Sequence, residues 1–118
     1  MDLKEMMSFN KFIVLGNTLN EDKYAYKIKN ALLEKGYTVY AVPEEYDSLN
    51  ISADILDLCM HPKKSINFLS EAKLDIKGVI IQPGAESDEI KEFLTQKNIF
   101  YIESCVLVGL SRFKKDAF

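Results

Sequence analysis

The chain has 118 residues, with 15 basic and 18 acidic side chains and a net charge of −3. That length suits one domain, residues 1–118, and the mildly acidic balance lacks the electrostatic footprint that nucleic-acid binding needs. No run of about 18 consecutive apolar residues occurs, so no membrane span is expected.

The opening Met1-Asp2-Leu3-Lys4-Glu5 carries charge and lacks the apolar core of a signal peptide, so a cytoplasmic protein is expected. Two cysteines, Cys59 and Cys105, and one histidine, His61, cannot supply the usual zinc set. Thiols rather than a disulfide are expected. Nothing around His61 resembles a hydrolytic triad, and no catalytic or metal-ligating residue is assigned.

Leu3, Met6 and Met7 mark one side of a short leader helix. Phe12-Ile13-Val14-Leu15 is a continuous apolar run, the pattern of a strand covered on both faces. Gly16 ends it. Thr18 with Glu21 fits a capping box, with Asn20 as an alternative cap. Tyr24, Ile28, Ala31 and Leu32 then recur at helical spacing, and Gly36 closes the helix. Tyr37 to Val42 alternates and is rich in β-branched and aromatic residues; it reads as strand two, stopped by Pro43. Glu44 to Ser52 is polar and reads as irregular.

Asp54 to Met60 is the third strand. His61-Pro62 opens the next helix, whose buried face is Ile66, Phe68, Leu69 and Ala72. Val79-Ile80-Ile81 is a fourth strand, ended by Gln82-Pro83-Gly84-Ala85. Ser87 caps a third helix with the stripe Ile90, Phe93 and Leu94, stopped at Asn98. Ile99 to Ile102 is a fifth strand, leading to Glu103-Ser104-Cys105. Val106 to Leu110 is apolar again, as core or as a dimer surface, and Arg112 to Phe118 is a charged tail.

Strands thus alternate with helices. That rhythm predicts an α/β, Rossmann-like three-layer sandwich around a five-stranded parallel sheet. With no obvious helix after strand two, strand three falls on the other side of strand one, giving order 2-1-3-4-5. The loops after Leu15 and Met60 then flank a crevice at the topological switch. A glycine turn opening a helix can hold a phosphate through backbone N–H groups. Lys23, Lys63 and Lys64 can add charge, though each also reads as a solvated helix face. The dinucleotide fingerprint is incomplete: Gly16 fills its first position, while Thr18 and Glu21 stand at the second and third. Glu44 after strand two resembles the acid that holds a ribose in NAD folds, and reads equally as a polar loop residue.

Four stretches carry a resemblance in their order and spacing: Val14-Leu15-Gly16-Asn17-Thr18, Leu32 to Pro43, Asp54-Ile55-Leu56-Asp57-Leu58, and Val79 to Ser87. From Lys11 to Cys105 the chain resembles the small stand-alone CoA-binding proteins, similar to the N-terminal CoA-binding domain of the succinyl-CoA synthetase α subunit. The resemblance implies non-catalytic binding of coenzyme A or an acyl-CoA. Gly16, Asn17 and Thr18 would face the pyrophosphate, with Tyr24 beside it. Met60, His61 and Pro62 would lie near the adenosine or pantetheine, Ile81, Gln82 and Pro83 along the pantetheine, and Cys105 near the thiol. Two departures stand out. Glu44-Glu45 follows Pro43 where the family has an Asn-Pro pair, and the segment from Glu44 to Ala53 is short. An NAD-type nucleotide sensor and an interaction protein with a disused pocket stay as alternatives, and a homo-oligomer stays open.

Overall fold

The computed structural model describes residues 1–42 and 50–113. Pro43, Glu44, Glu45 and the tail beyond Phe113 lie outside the described residues. Helix α1 (Leu3–Met7) opens on Asp2, whose carboxylate accepts the Glu5 N–H at 2.9 Å. Then come β1 (Lys11–Leu15), α2 (Tyr24–Glu34), β2 (Thr38–Val42), β3 (Asn50–Ser52), β4 (Ile55–Leu58) and α3 (Pro62–Glu71). After them follow β5 (Lys73–Asp75), β6 (Gly78–Ile81), α4 (Asp88–Gln96), β7 (Tyr101–Glu103) and α5 (Val106–Arg112).

The main sheet runs β2-β1-β4-β6-β7, all parallel. Counting its strands along the chain, this is the expected 2-1-3-4-5. β1, β4 and β6 are almost wholly buried, as strands covered by helices on both faces must be. One face packs Phe12, Val14, Ile55 and Ile80 against α1, α2 and α5, through Met6, Met7, Ile28, Leu32 and Val106. The other packs Ile13, Leu56, Leu58, Val79 and Ile81 against α3 and α4, through Leu69, Ile90 and Leu94. Alternation along each strand decides which core a residue joins.

Several local signals act as their chemistry predicts. Ser87 caps α4 by accepting the Ile90 N–H at 3.2 Å. Pro62 sits in the first turn of α3, where its missing N–H costs nothing. Gly36 (φ 87°) and Asn98 (φ 57°) each follow a helix C-cap in the left-handed conformation. At the base of the sheet, Asp54 accepts the N–H groups of Lys11 at 2.9 Å and Asn10 at 3.3 Å, and pairs with Lys77 at 3.2 Å.

Two expectations change. The capping box is not formed: α2 begins at Tyr24 with Lys23 as N-cap, and Thr18 is buried at 5% exposure. The preceding loop is held by asparagines instead. Asn17 Oδ1 accepts the N–H groups of Leu19 (3.1 Å) and Asn20 (3.2 Å), and Asn20 Oδ1 accepts that of Asp22 (3.0 Å). Second, residues 50–52 are strand β3, paired in parallel with β5 as a separate two-stranded sheet. The apolar stretch after Cys105, expected as core or as a dimer surface, is helix α5. Its Val106, Gly109 and Leu110 are buried, and it packs on α1 and α2. A Cβ on Gly109 would lie 2.8 Å from Met7 Cγ, so core packing accounts for this face.

Candidate functional site

The C-terminal ends of β1, β4 and β6 open onto a cavity of about 480 Å³. That lies within the range of about 300–1,000 Å³ usual for small-molecule sites. Each wall follows from one strand end.

The first wall is the loop between β1 and α2. Gly16 sits where that loop leaves the sheet, its N–H donating to Val42 O at 3.1 Å. An added Cβ there would lie 2.9 Å from Ala25 Cβ, 3.1 Å from Cys59 Cβ and 3.2 Å from Cys59 O. The glycine is therefore needed for close approach of α2 to the sheet. Asn17, Lys23 and Tyr24 line the cavity from this side, and Tyr24 is 65% exposed. The N-cap Lys23 makes no side-chain cap hydrogen bond, and the first turn of α2 carries no acid. Its N–H groups and the positive end of the helix dipole suit an anion.

The second wall is the loop after β4: Cys59, Met60 and His61, with Lys64 on α3. His61 is the N-cap of α3, and its Nδ1 accepts the Lys63 N–H at 3.2 Å. The third wall is the turn Gln82-Pro83-Gly84-Ala85. The Ala85 N–H returns to Gln82 O at 2.9 Å, and Gly84 has φ 90°. Proline followed by a left-handed glycine is the chemistry of a type II turn. Gln82 is buried, and its Oε1 accepts the Val106 N–H at 2.8 Å. The strand end is thereby tied to α5.

Of the residues named from the sequence, Asn17, Tyr24, Met60, His61, Gln82 and Pro83 line this cavity. Gly16 and Thr18 are buried behind it. Pro62 is spent on starting α3. Ile81 points into the core on the α3 and α4 side. Cys105 is the half-buried N-cap of α5 and is not among the lining residues.

Cys59 lines the cavity instead. Its position in the sequence reads as core, because an apolar run hides where its strand ends. Its Sγ donates to Asp57 Oδ2 at 3.1 Å. Asp57 is fully buried, and burial pushes its carboxyl up from 3.8 to about 7, against the thiol's hydrogen bond. Burial first, then the Asp57 charge and hydrogen bond, then Cys105, push the Cys59 thiol well above its ordinary value. The signal for Asp57 was available in the sequence: an acid inside a strand otherwise made of Ile and Leu.

Lys23, Lys64 and His61 bring nitrogen to the lining, and no carboxylate stands among the described lining residues. The arrangement offers an anion site at one end, an aromatic ring at the rim and a thiol in the floor.

Among curated proteins none matches the chain. Solved structures do. The crystal structure of an uncharacterised protein is 26% identical, with a TM-score of 0.71 over 87% of this chain and 95% of that one. A conserved hypothetical protein from Pyrococcus furiosus is 28% identical, with a TM-score of 0.69 over 85% and 98%. A hypothetical protein from Pyrococcus horikoshii OT3, at 19% identity, shares the fold with a TM-score of 0.74 over 94% and 89%. Residues 10–111 match the family model of the CoA binding domain, and the chain belongs to that family.

Proposed function

We propose that the crevice binds coenzyme A or an acyl-CoA, as a binding module rather than an enzyme with turnover. The observation that carries this reading is the lining: two lysines and a histidine, no described carboxylate, and a thiol in the floor. The pyrophosphate lies at the Asn17 loop and the start of α2, held by N–H groups and the Lys23 and Lys64 ammonium groups. The Tyr24 ring flanks it. The pantetheine runs along Met60, Gln82 and Pro83 toward Cys59, with Cys105 behind. Such a site serves sensing, storage or regulation of a partner through the ligated state.

Calorimetry against CoA, dephospho-CoA and NAD tests the reading. CoA is expected to bind and to raise the unfolding temperature. A ligand at 100 times its Kd adds about 2.7 kcal/mol. Tighter binding of dephospho-CoA would mean that Glu44 and Glu45 repel the 3′-phosphate. Tighter binding of NAD would move the assignment to a dinucleotide sensor. No response to any of the three would leave the interaction protein with a disused pocket.

A further inference from the structure

β4 reads Ile55-Leu56-Asp57-Leu58, and its one charged residue is fully buried. Asp57 pairs in register with Val14 on β1 and Ile80 on β6, so its side chain lies on the α2 and α5 side. Among the described residues that side is otherwise lined by apolar groups: Ala25 and Ile28 come from α2 and Val106 from α5. Cys59 stands two residues on, on the same face, and reaches the cavity. Its thiol donates to Asp57 Oδ2, while Oδ1 has no hydrogen-bond partner among the described residues. A carboxylate left half-satisfied in a core is costly, and an apolar residue at that place would pack without the cost.

We propose that Asp57 and Cys59 are a base–nucleophile pair in the crevice floor, and that Cys59 accepts the acyl group of an acyl thioester bound above it. The natural donor, acyl-CoA, rests on the reading above; the chemistry of the pair does not. Cys59 Sγ bonds to the thioester carbonyl carbon while its proton passes to Asp57. The tetrahedral adduct then collapses, breaking the bond to the donor's sulfur. Asp57 returns the proton to the departing thiolate. One thioester replaces another, so no oxidant or reductant enters. The transfer is stoichiometric.

Above about 7, with Asp57 charged, the pair holds one proton, and the negative charge stays at one as it passes from Asp57 to the adduct oxygen and back. A free Cys59 thiolate beside a charged Asp57 would put two charges in the core, which is why the thiol is held high. Attack therefore needs Asp57 as proton acceptor. A base titrating near neutral pH suits that task. Among the described residues, the other titratable group bearing on the pair is Cys105; β1, β6 and α2 present Val14, Ile80, Ala25 and Ile28.

The test uses two donors, acetyl-CoA and S-acetyl-N-acetylcysteamine, which carries the same thioester without a nucleotide. Intact mass and peptide mapping should find one acetyl group on Cys59, absent from Cys59→Ser and Cys59→Ala. The wild-type rate should rise with pH through about 7. Asp57→Asn should lack that rise and be slower by about 100-fold or more, while its circular dichroism shows it folded. Acetylation by the small thioester alone keeps the pair and removes the CoA reading. CoA binding by calorimetry with no acetyl on Cys59 from either donor keeps the CoA reading and overturns the pair. Acetyl found only on Cys105 or lysine, or an Asp57→Asn rate equal to wild type, also overturns it.

Discussion

Gln82 Oε1 accepts the Val106 N–H at 2.8 Å, so one buried amide joins the crevice wall to the first turn of α5. Val106 is fully buried, so in the intact protein its N–H depends on this partner. Gln82→Ala is expected to cost about 1–3 kcal/mol, the penalty for an orphaned buried donor. Urea unfolding measures this. Hydrogen exchange should show the loss at the start of α5 and leave α3 and α4 protected as before. Equal stability of the variant would show that α5 docks through its apolar face alone.

Two glycines in the crevice walls make a contrasting pair. At Gly16 an added methyl meets Ala25, Cys59 and a backbone oxygen at 2.9–3.2 Å. Gly16→Ala therefore pushes α2 off the sheet, at about 1–3 kcal/mol, and should weaken anion binding at the loop. At Gly84 nothing among the described residues lies within 4 Å of an added Cβ, but φ is 90°. Gly84→Ala should cost about 1–2 kcal/mol through backbone strain alone. Thermal unfolding gives both costs, and crystallography of the Gly16 variant would show the shift of α2. An unmoved α2 would contradict the steric account.

How much of this was legible in the sequence differs by element. β1, β4 and β6 show as apolar runs broken only at Asp57, β2 as an alternating stretch and β7 as the apolar Ile99 to Ile102, and their order follows from the missing helix after strand two. β3 and β5 have three residues each, of which one is apolar, so neither a period nor an apolar run shows. The start of α2 misleads because Thr18 and Glu21 have capping spacing, while Thr18 is buried and Asn17 and Asn20 bind the loop. Cap motifs are local, and burial is not. The same limit hides Cys59. Only the pairing of Leu58 with Leu15 and Ile81 fixes where the sheet stops and the crevice begins.

Asp57 makes stability depend on pH in an unusual direction. Its carboxyl titrates near 3.8 when exposed and near 7 when folded. Between those values the folded chain holds one more proton than the unfolded chain, so unfolding becomes easier as pH rises. The contribution is full below the unfolded value and is gone above about 7. It amounts to about 4 kcal/mol. Asp54 works oppositely. Burial pushes it up, but the Lys11 N–H, Lys77 and the Asn10 N–H outweigh that and hold it low. Its stability is therefore lost only in acid below the Asp57 window. Urea unfolding from mild acid to mild base should show stability falling for the wild type. Asp57→Asn should be nearly flat and the more stable protein at alkaline pH. A wild-type curve that rises across that window would mean that Asp57 is charged in the fold.

The lysines at the crevice make the anion assignment quantitative. Lys23 precedes the first turn of α2 and Lys64 lies in the first turn of α3, so two helix starts and two ammonium groups converge on one cavity. Both lysines are exposed, which keeps each contribution modest. A charge pair at about 4 Å is worth about 1 kcal/mol in water and more where water is partly excluded. Lys23→Glu and Lys64→Glu replace an attraction by a repulsion, so each should weaken CoA binding by about tenfold or more, with added salt shrinking the difference. Lys97 ends α4 beside a separate groove with Phe93 and Leu74, and Lys97→Glu makes the same charge change away from the crevice. Calorimetry at two salt concentrations compares the three variants. Equal losses in all three would mean that net charge governs binding, and the phosphate would have to be placed elsewhere.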